Sequence, residues 1–356
     1  MSWRATWSRT AGAVRLGTAE LPGLFHRGTL VAEVDLSLLG GNGDPLLDQR
    51  IGAQSLTLGL RRDGRLYGRA ADGPAGVEAA CGTGTETAHG TLRATWHWDS
   101  FNRRSLITAE HLDSGTLRQS ETGGAQVVPR ALVTALFTGR RGLRHPGVQW
   151  FALSDTIEPV GCPPGLHPQT EVETPEGPRP VASLRAGDRV LTADAGARTV
   201  LWSGPLRAPG LGGARPVRLL TPYDRRQKDI ILHGQHRIAV SGSEVEYLFG
   251  VDEVLVEARH LVDGRTAIDA PSPGIVAWHG IVLERHHLLK VAGARVESQF
   301  LGDLGADPDL SALSAYRSLA QARGLPRHRA VRRQLAALEA AMLVQARARR
   351  CAPLAA

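Results

Sequence analysis

The first half of the chain alternates hydrophobic and polar positions with the period of a β-strand. Between residues 55 and 60 every second position is leucine, as expected for a strand with one buried face. The pair Asp63-Gly64 then supplies the positive φ angles that a tight hairpin favours, and Leu66 begins a second alternating stretch. Short strands separated by turns predict a β-sandwich or a β-barrel.

The stretch "TLRATWHW" places Trp96 and Trp98 on one face of a predicted strand and His97 on the other. Tryptophan pairs bury a large apolar area, so we interpret these two as core residues rather than as a sugar-binding platform. With "DGRLYGR", "TWHWDSFNRRSLITAE" and "GVQWFALSD" in this order, the region resembles the concanavalin-like and laminin-G-like jelly-roll sandwiches. This resemblance implies a glycan or a protein as the partner of the sandwich.

A break in the pattern at "SDTIEPVGCPPG" predicts a domain boundary, because prolines beside glycines disfavour both helices and central strands. A second β-rich region follows and extends to about residue 305. Beyond it, "DPDLSALSAYRSLAQARG" begins with helix-favouring acids and ends at Gly324, so it predicts a helix. The predicted organisation is a jelly-roll-like sandwich domain (1–158), an all-β domain (159–305) and an arginine-rich helical tail (306–356).

The last part of the tail is predicted to form a helix with a narrow apolar seam. Its members, spaced by four, three and four residues, are Val331, Leu335, Leu338 and Met342. Arginines at positions 327, 329, 332 and 333 lie at the predicted start, where the helix macrodipole disfavours positive charge, so the first turn is expected to fray. A solvated helix face explains these arginines, and docking to an acidic protein or an anionic lipid is the alternative.

Composition excludes several classes of function for this chain of 356 residues with a net charge of +7. The basic excess lies in the tail, so the body offers no nucleic-acid-binding surface. The scattered Cys81, Cys162 and Cys351 predict no disulfide framework and no zinc site, and we expect neither a metal nor a cofactor. No stretch approaches the roughly 18 apolar residues of a membrane helix, and the N-terminus lacks the apolar region of a signal peptide. We expect a protein of the bacterial cytoplasm, or one exported without a cleavable signal peptide.

Residues 168–300 carry the most specific resemblance in the sequence. Four blocks follow one another in the order and at the spacing of the bacterial hedgehog/intein, or Hint, domain: "PQTEVETPEGPRPVASLRAGDRVLTADAGARTVLWSG", "ILHGQHRIAV", "VLVEARHLVDGRTA" and "IVLERHHLLKVAGARVESQF". The resemblance implies an all-β horseshoe fold with two pseudo-symmetric halves. It also implies self-cleavage through an N-to-S acyl shift, with the protein's own chain as the substrate.

An acyl shift of this kind needs a thiol and an acid beside the scissile bond. The thiol attacks the carbonyl just upstream, and a histidine protonates the departing amide nitrogen. The resemblance matches His236 of "HGQH" to the family's histidine, puts His233 in place of a hydroxyl residue, and matches His286 to the histidine of the last block. Each of the three can also be a histidine with structural hydrogen bonds alone.

Two alignments give different residues at the nucleophile position. Without gaps the position falls on Gly165, which has no side chain that could attack a carbonyl. However, "GCPPG" resembles a hedgehog-type start, and a three-residue insertion would return Cys162 to the site with Gly161 as the acyl donor. Gly280 stands where relatives usually have a histidine, His279 lies one residue earlier, and the sequence has no terminal His-Asn pair.

The sequence therefore supports two hypotheses of different classes. The first is an autoprocessing enzyme that cleaves its own Gly161–Cys162 bond with the help of the histidines. The second is a Hint domain that has lost catalysis and serves as a binding or structural module beside a glycan- or partner-binding sandwich.

Overall fold

The computed structural model describes residues 2–16, 20–40, 43–84, 89–139, 142–161, 163–221, 228–270, 272 and 274–351. The chain divides into two compact units, Met1–Gly161 with Pro273–Ile275, and Cys162–Ser272 with Val276–Ala356. Both units consist mainly of β-strands, as predicted. Within the described ranges, no helix combines the length and the apolar character needed to cross a membrane.

The first unit is built from strands and one α-helix. In chain order these are β1 (Trp3–Ser8), β2 (Gly12–Arg15), β3 (Leu24–Phe25), β4 (Arg27–Asp35), β5 (Pro45–Ile51), β6 (Gln54–Leu60), β7 (Arg65–Asp72), β8 (Ala75–Gly82), β9 (Thr91–Asp99), β10 (Arg104–His111), β11 (Thr116–Gly123), β12 (Val128–Pro129), α1 (Arg130–Thr138), β13 (Gly142–Arg144) and β14 (Val148–Ser154). Seven strands form one sheet in the order β11-β10-β9-β4-β14-β1-β2, and five form another in the order β13-β5-β6-β7-β8. One cluster of buried apolar side chains draws members from both sheets, so the predicted β-sandwich is confirmed.

The two tryptophans of β9 lie in the core of the sandwich, as predicted. Trp96 and Trp98 are each 1% exposed, and their ring centroids are 5.3 Å apart. The Trp96 Nε1–H donates to Ser105 Oγ at 2.9 Å, and the Trp98 Nε1–H donates to the Phe25 carbonyl at 3.0 Å. Across the sandwich, a Cβ on Gly68 would lie 2.5 Å from the Trp96 ring, so glycine is needed there. Both indoles are thus packed and hydrogen-bonded inside the unit.

The hairpin predicted at Asp63-Gly64 joins β6 to β7. Gly64 adopts φ +76°, a conformation that glycine reaches without a steric penalty. The Asp63 carboxylate accepts the Arg65 backbone N–H at 3.1 Å and closes the turn. The strands therefore pair in the register that the leucine alternation requires, with Leu58 and Leu66 both buried.

The second unit contains shorter strands arranged in several small sheets. In chain order its elements are β15 (Glu171–Thr174), β16 (Gly177–Pro180), β17 (Arg189–Thr192), β18 (Gly196–Thr199), β19 (Trp202–Pro209), β20 (Pro216–Leu219), β21 (Ile230–His233), β22 (Arg237–Ser241), α2 (Ser243–Phe249), β23 (Glu253–Glu257), β24 (Ala267–Asp269), β25 (Ile275–Val282), β26 (Leu288–Val291), β27 (Ala294–Glu297), α3 (Pro308–Leu313), α4 (Arg317–Arg323), β28 (Arg333–Gln334) and α5 (Ala337–Cys351). The largest sheet runs β16-β15-β26-β27-β22-β23-β28, with β17 and β18 attached through β26. Two smaller sheets are also present: one pairs β19 with β25, and the other has the strand order β21-β20-β24.

The predicted apolar seam of the last helix is wrong. Helix α5 begins at Ala337, and the residues before it are extended, with β28 pairing parallel to β23. Leu338 and Met342 are exposed, whereas Leu335, Ala340 and Leu343 are buried in the core of the unit.

The expected fraying of arginine-rich first-turn residues is also wrong, because those arginines precede the helix. Arg332 bonds to Glu253 at 3.0 Å and to Asp194 at 2.8 Å, and Arg333 pairs with Glu339. A spacing of four and three residues is compatible with a helix, but tertiary contacts of this kind override such a local preference.

Candidate functional site

The second unit begins with a segment, residues 163–167, that threads between two strands; we call it the lead-in segment. Leu166 exchanges backbone hydrogen bonds with His279 of β25, at 2.9 and 2.8 Å. On its other side, the Gly165 carbonyl accepts the His233 backbone N–H at 3.0 Å. The first residues of the domain are therefore fixed by bonds to β25 and β21 together.

Gly165, the ungapped candidate for the nucleophile position, has no room for a side chain. A Cβ at this residue would lie 2.8 Å from the Trp278 Cβ and 3.0 Å from the His279 carbonyl oxygen. Both neighbours belong to or adjoin the β25 backbone, so neither can swing aside as the tip of a flexible side chain would. The site is packed for glycine, and a cysteine here would need β25 to move.

Cys162, the other candidate, lies outside the described residues. Its neighbour Gly161 is described and adopts φ +77°, in the left-handed region that favours glycine. The peptide bond between them coincides with the boundary of the two compact units.

His236 is buried and occupies the turn between β21 and β22. Its Nε2 lies 3.0 Å from the Glu297 carbonyl oxygen, which can only accept, so Nε2 carries the proton. Nδ1 is then the unprotonated nitrogen, and it has no hydrogen-bond partner among the described residues. Burial is the largest influence on the pKa of His236 and lowers it, outweighing the nearby Glu297. This ring is neutral and donates its proton to a backbone carbonyl within the core.

His286 is also buried, and its contacts assign the acceptor role to one ring nitrogen and the proton to the other. The Val331 backbone N–H donates to His286 Nδ1 at 3.2 Å, so the neutral ring carries its proton on Nε2. That nitrogen lies 3.2 Å from Glu297 Oε2, at ion-pair distance but outside regular hydrogen-bond geometry. Glu297 therefore contacts both family-matched histidines, His236 through its carbonyl and His286 through its carboxylate.

The Glu297 carboxylate is buried yet held as an anion. Its Oε1 accepts the Arg237 backbone N–H at 2.9 Å and lies 3.6 Å from the Arg237 guanidinium. Burial alone would raise the pKa of Glu297, but the nearby Arg237 guanidinium favours the carboxylate, and the pKa is lowered overall. No local pattern indicates this role, because His236 and Arg237 lie about 60 positions from Glu297 in the chain.

His233 lies at the end of β21 with its ring against Trp278. The two ring centroids are 5.4 Å apart in an edge-on arrangement. His233 Nδ1 accepts the Gln235 backbone N–H at 3.1 Å, which closes the turn toward His236. The hydroxyl residue's position in the family is thus taken by an imidazole that supports the turn.

Sequence analysis missed two further residues at the site, Gln299 and Tyr316. The Gln299 side-chain amide donates to the Pro164 carbonyl, and the Tyr316 hydroxyl donates to Gln299 Oε1 at 2.6 Å. A Cβ on Gly280 would lie 2.9 Å from Gln299 Nε2, so the glycine at the expected histidine position makes room for this amide. In the sequence, the one indication of this amide was Gly280, at a position where relatives usually have a histidine.

The Pro164 carbonyl accepts a hydrogen bond from Gln299, but the adjacent Gly165 has no side chain that could attack it. The Pro164 carbonyl immediately precedes Gly165, and a buried amide donor is what such a carbonyl would need if it were attacked. Yet Gly165 supplies no nucleophile, and His236 and His286 direct their protons toward Glu297. Among the described residues, no group of three or more His, Cys, Asp or Glu side chains could hold a metal ion.

Residues 164–303 match the family model of the Hint domain. The second unit thus carries the fold that the four sequence blocks predicted. The match begins two residues after Cys162 and includes Gly165. No curated protein matches the chain at a significant level.

Solved structures similar to parts of the chain include a bacterial intein-like domain from Clostridium thermocellum. It is 14% identical, covers 38% of this chain and 97% of its own, and has a TM-score of 0.27. The CBM40 of the Ruminococcus gnavus IT-sialidase, bound to α2,6-sialyllactose, is 14% identical over 36% of this chain and 76% of its own, with a TM-score of 0.25. The LG1-3 region of the laminin α2 chain is 9% identical over 83% and 55%, with a TM-score of 0.26. The assignment of the Hint fold rests on the family match.

Proposed function

We propose that this chain is a Hint-domain protein without self-cleavage, in which the Hint domain serves as a structural module and the sandwich binds a glycan or a protein. The observation that carries the proposal is the packing of Gly165 against β25, which leaves no space for a nucleophile at the start of the matched region. The contacts of His236 and His286 support it, because His236 donates to the Glu297 carbonyl and His286 Nε2 lies 3.2 Å from the Glu297 carboxylate.

The mass of the purified protein tests this proposal directly. We expect a single species at the full 38.1 kDa after expression and after prolonged incubation with hydroxylamine, which would capture a thioester. The Cys162→Ala variant is the matched control and should behave identically. Fragments ending at residue 161 in the wild type, and absent from the variant, would overturn the proposal.

A second function, autoprocessing at the Gly161–Cys162 bond, is favoured by one observation. Gly161 adopts φ +77° at the boundary of the two units, where a self-removing domain would cut. In that case Cys162→Ala should abolish cleavage and His236→Ala should slow it. The same mass measurement decides between the two functions.

A further inference from the structure

Residues 304–351 lie beyond the family match, yet they contribute to the interior of the second unit; we call them the strap. Leu335, Ala340 and Leu343 are part of the main core of the unit. Tyr316 and Leu319 form a smaller buried cluster with Val282 and Leu301. The strap is therefore anchored in the domain at several points between Tyr316 and Leu343.

Four polar contacts of two strap residues fasten the strap to the rest of the domain. His328 Nε2 donates to the Leu283 carbonyl at 3.1 Å, and its Nδ1 accepts the Leu301 backbone N–H at 3.2 Å. Arg332 bridges Asp194 and Glu253. These contacts hold the chain on both sides of Val331, which lies between His328 and Arg332.

We propose that the strap sets the chemical state of the Hint site: Tyr316 orients the Gln299 amide toward the lead-in segment, and Val331 selects the tautomer of His286. Both are positioning residues, since neither touches the Pro164 carbonyl nor Glu297. The proposal concerns residues outside the family match and holds whether or not the chain cleaves itself.

The Tyr316 hydroxyl holds the Gln299 amide in the orientation that the Pro164 carbonyl requires. Tyr316 and Gln299 are 4% and 2% exposed, so water does not compete for these bonds. A carbonyl only accepts, so Nε2 must face Pro164, and the Tyr316 hydroxyl donates to Oε1 at the other side of the amide. Without the hydroxyl, the amide would lose the bond that holds Oε1 in place.

The Val331 backbone N–H determines which nitrogen of His286 carries the proton. A backbone N–H only donates, so the nitrogen it meets, Nδ1, must be the acceptor. The remaining nitrogen, Nε2, then presents its N–H toward the Glu297 carboxylate. A strap residue thus directs the proton of a histidine that the family match contains.

The Gln299 half of the proposal is tested by hydrogen exchange of the Gln299 side-chain amide protons, followed by NMR in the full chain. Tyr316→Phe should accelerate this exchange by about tenfold or more, because the bond that holds the amide is lost. Tyr247→Phe is the matched control, since Tyr247 is 89% exposed, and it should change nothing. Unchanged exchange in Tyr316→Phe, with the fold intact, would overturn this half.

The His286 half is tested by the ¹⁵N chemical shifts of its ring. Wild type and Val331→Ala both keep the backbone N–H, and both should show a protonated Nε2 and an unprotonated Nδ1. Val331→Pro removes the N–H and should give a mixture of tautomers. A protonated Nε2 alone in the proline variant would overturn this half. If the proline variant does not fold, a protonated Nδ1 in the wild type would also overturn this half of the proposal.

Discussion

Each of the two units buries a histidine, His97 in the sandwich and His236 in the Hint domain, and the surroundings of the two rings differ. In the sandwich, burial lowers the pKa of His97 to about 4, against the opposing influence of a backbone hydrogen bond at Glu158. In the Hint domain, His236 donates to the Glu297 carbonyl, and the same glutamate faces His286. The sandwich therefore keeps its histidine neutral by burial, whereas the Hint domain fixes its histidines by directed bonds.

The interiors of the two units differ in the polar groups that they contain. The sandwich packs Trp96 and Trp98 in its apolar core and also buries an ion pair between Arg93 and Glu33. The Hint domain also has an apolar core, but a buried polar network of His236, His286 and Glu297 lies beside it. Packing tolerates changes in polar detail, whereas a polar network is sensitive to the position of each donor and acceptor.

The largest expected effect comes from removing a packing element of the sandwich. Trp96→Ala should lower the free energy of unfolding of this unit by about 3–5 kcal/mol, because a buried indole leaves a cavity. Phe101→Ala, at a side chain that is 67% exposed, is the control and should cost less than about 0.5 kcal/mol. Denaturant unfolding with separate reporters for the two units measures both. Equal losses for the two variants would contradict a sandwich held by packing.

The second effect is the acid sensitivity of the sandwich that His97 produces. Its folded pKa of about 4 is below the unfolded value of 6.5, so its contribution is fully present above pH 6.5 and is lost as pH falls through 4. The loss should reach about 3 kcal/mol, since each pKa unit corresponds to about 1.4 kcal/mol. Unfolding measured from pH 7 to 4 should show this slope in wild type and a flatter one in His97→Leu. Parallel slopes would mean that other groups titrate.

The smallest effect tests how tightly the Hint domain is packed around its lead-in segment. Gly165→Ala should destabilise the second unit by about 1–3 kcal/mol, because the added Cβ meets the β25 backbone. Gly82→Ala in the sandwich is the matched control, since a Cβ there meets nothing within 4 Å. Thermal unfolding of the two variants provides the comparison. A neutral Gly165→Ala would show that β25 gives way readily, and it would weaken the argument against a nucleophile at this position.

Local patterns predicted the features that depend on neighbouring residues. The leucine alternation and Asp63-Gly64 identified the β6–β7 hairpin, and the alternation in "TLRATWHW" put both tryptophans on the core face. The order of the four blocks predicted the Hint fold, and the family match over residues 164–303 confirms it. These features are encoded within about ten residues each, or in motifs with a characteristic order.

Features that depend on distant residues could not be predicted in this way. The contact between Gln299 and Pro164 spans 135 positions, and nothing in either local sequence indicates it. Likewise, the spacing of Val331, Leu335, Leu338 and Met342 suits a helix, but β28 forms instead because β23 offers backbone partners to Arg333 and Gln334. Tertiary partners decided the conformation where the local period was ambiguous.

The two glycines at the Hint site limit how the protein can change by mutation. A side chain at Gly165 meets the β25 backbone, and a side chain at Gly280 meets the Gln299 amide. A larger side chain at either glycine could be accommodated only together with changes in β25 or in Gln299. Single substitutions at these glycines are therefore expected to be disfavoured by selection for a folded protein.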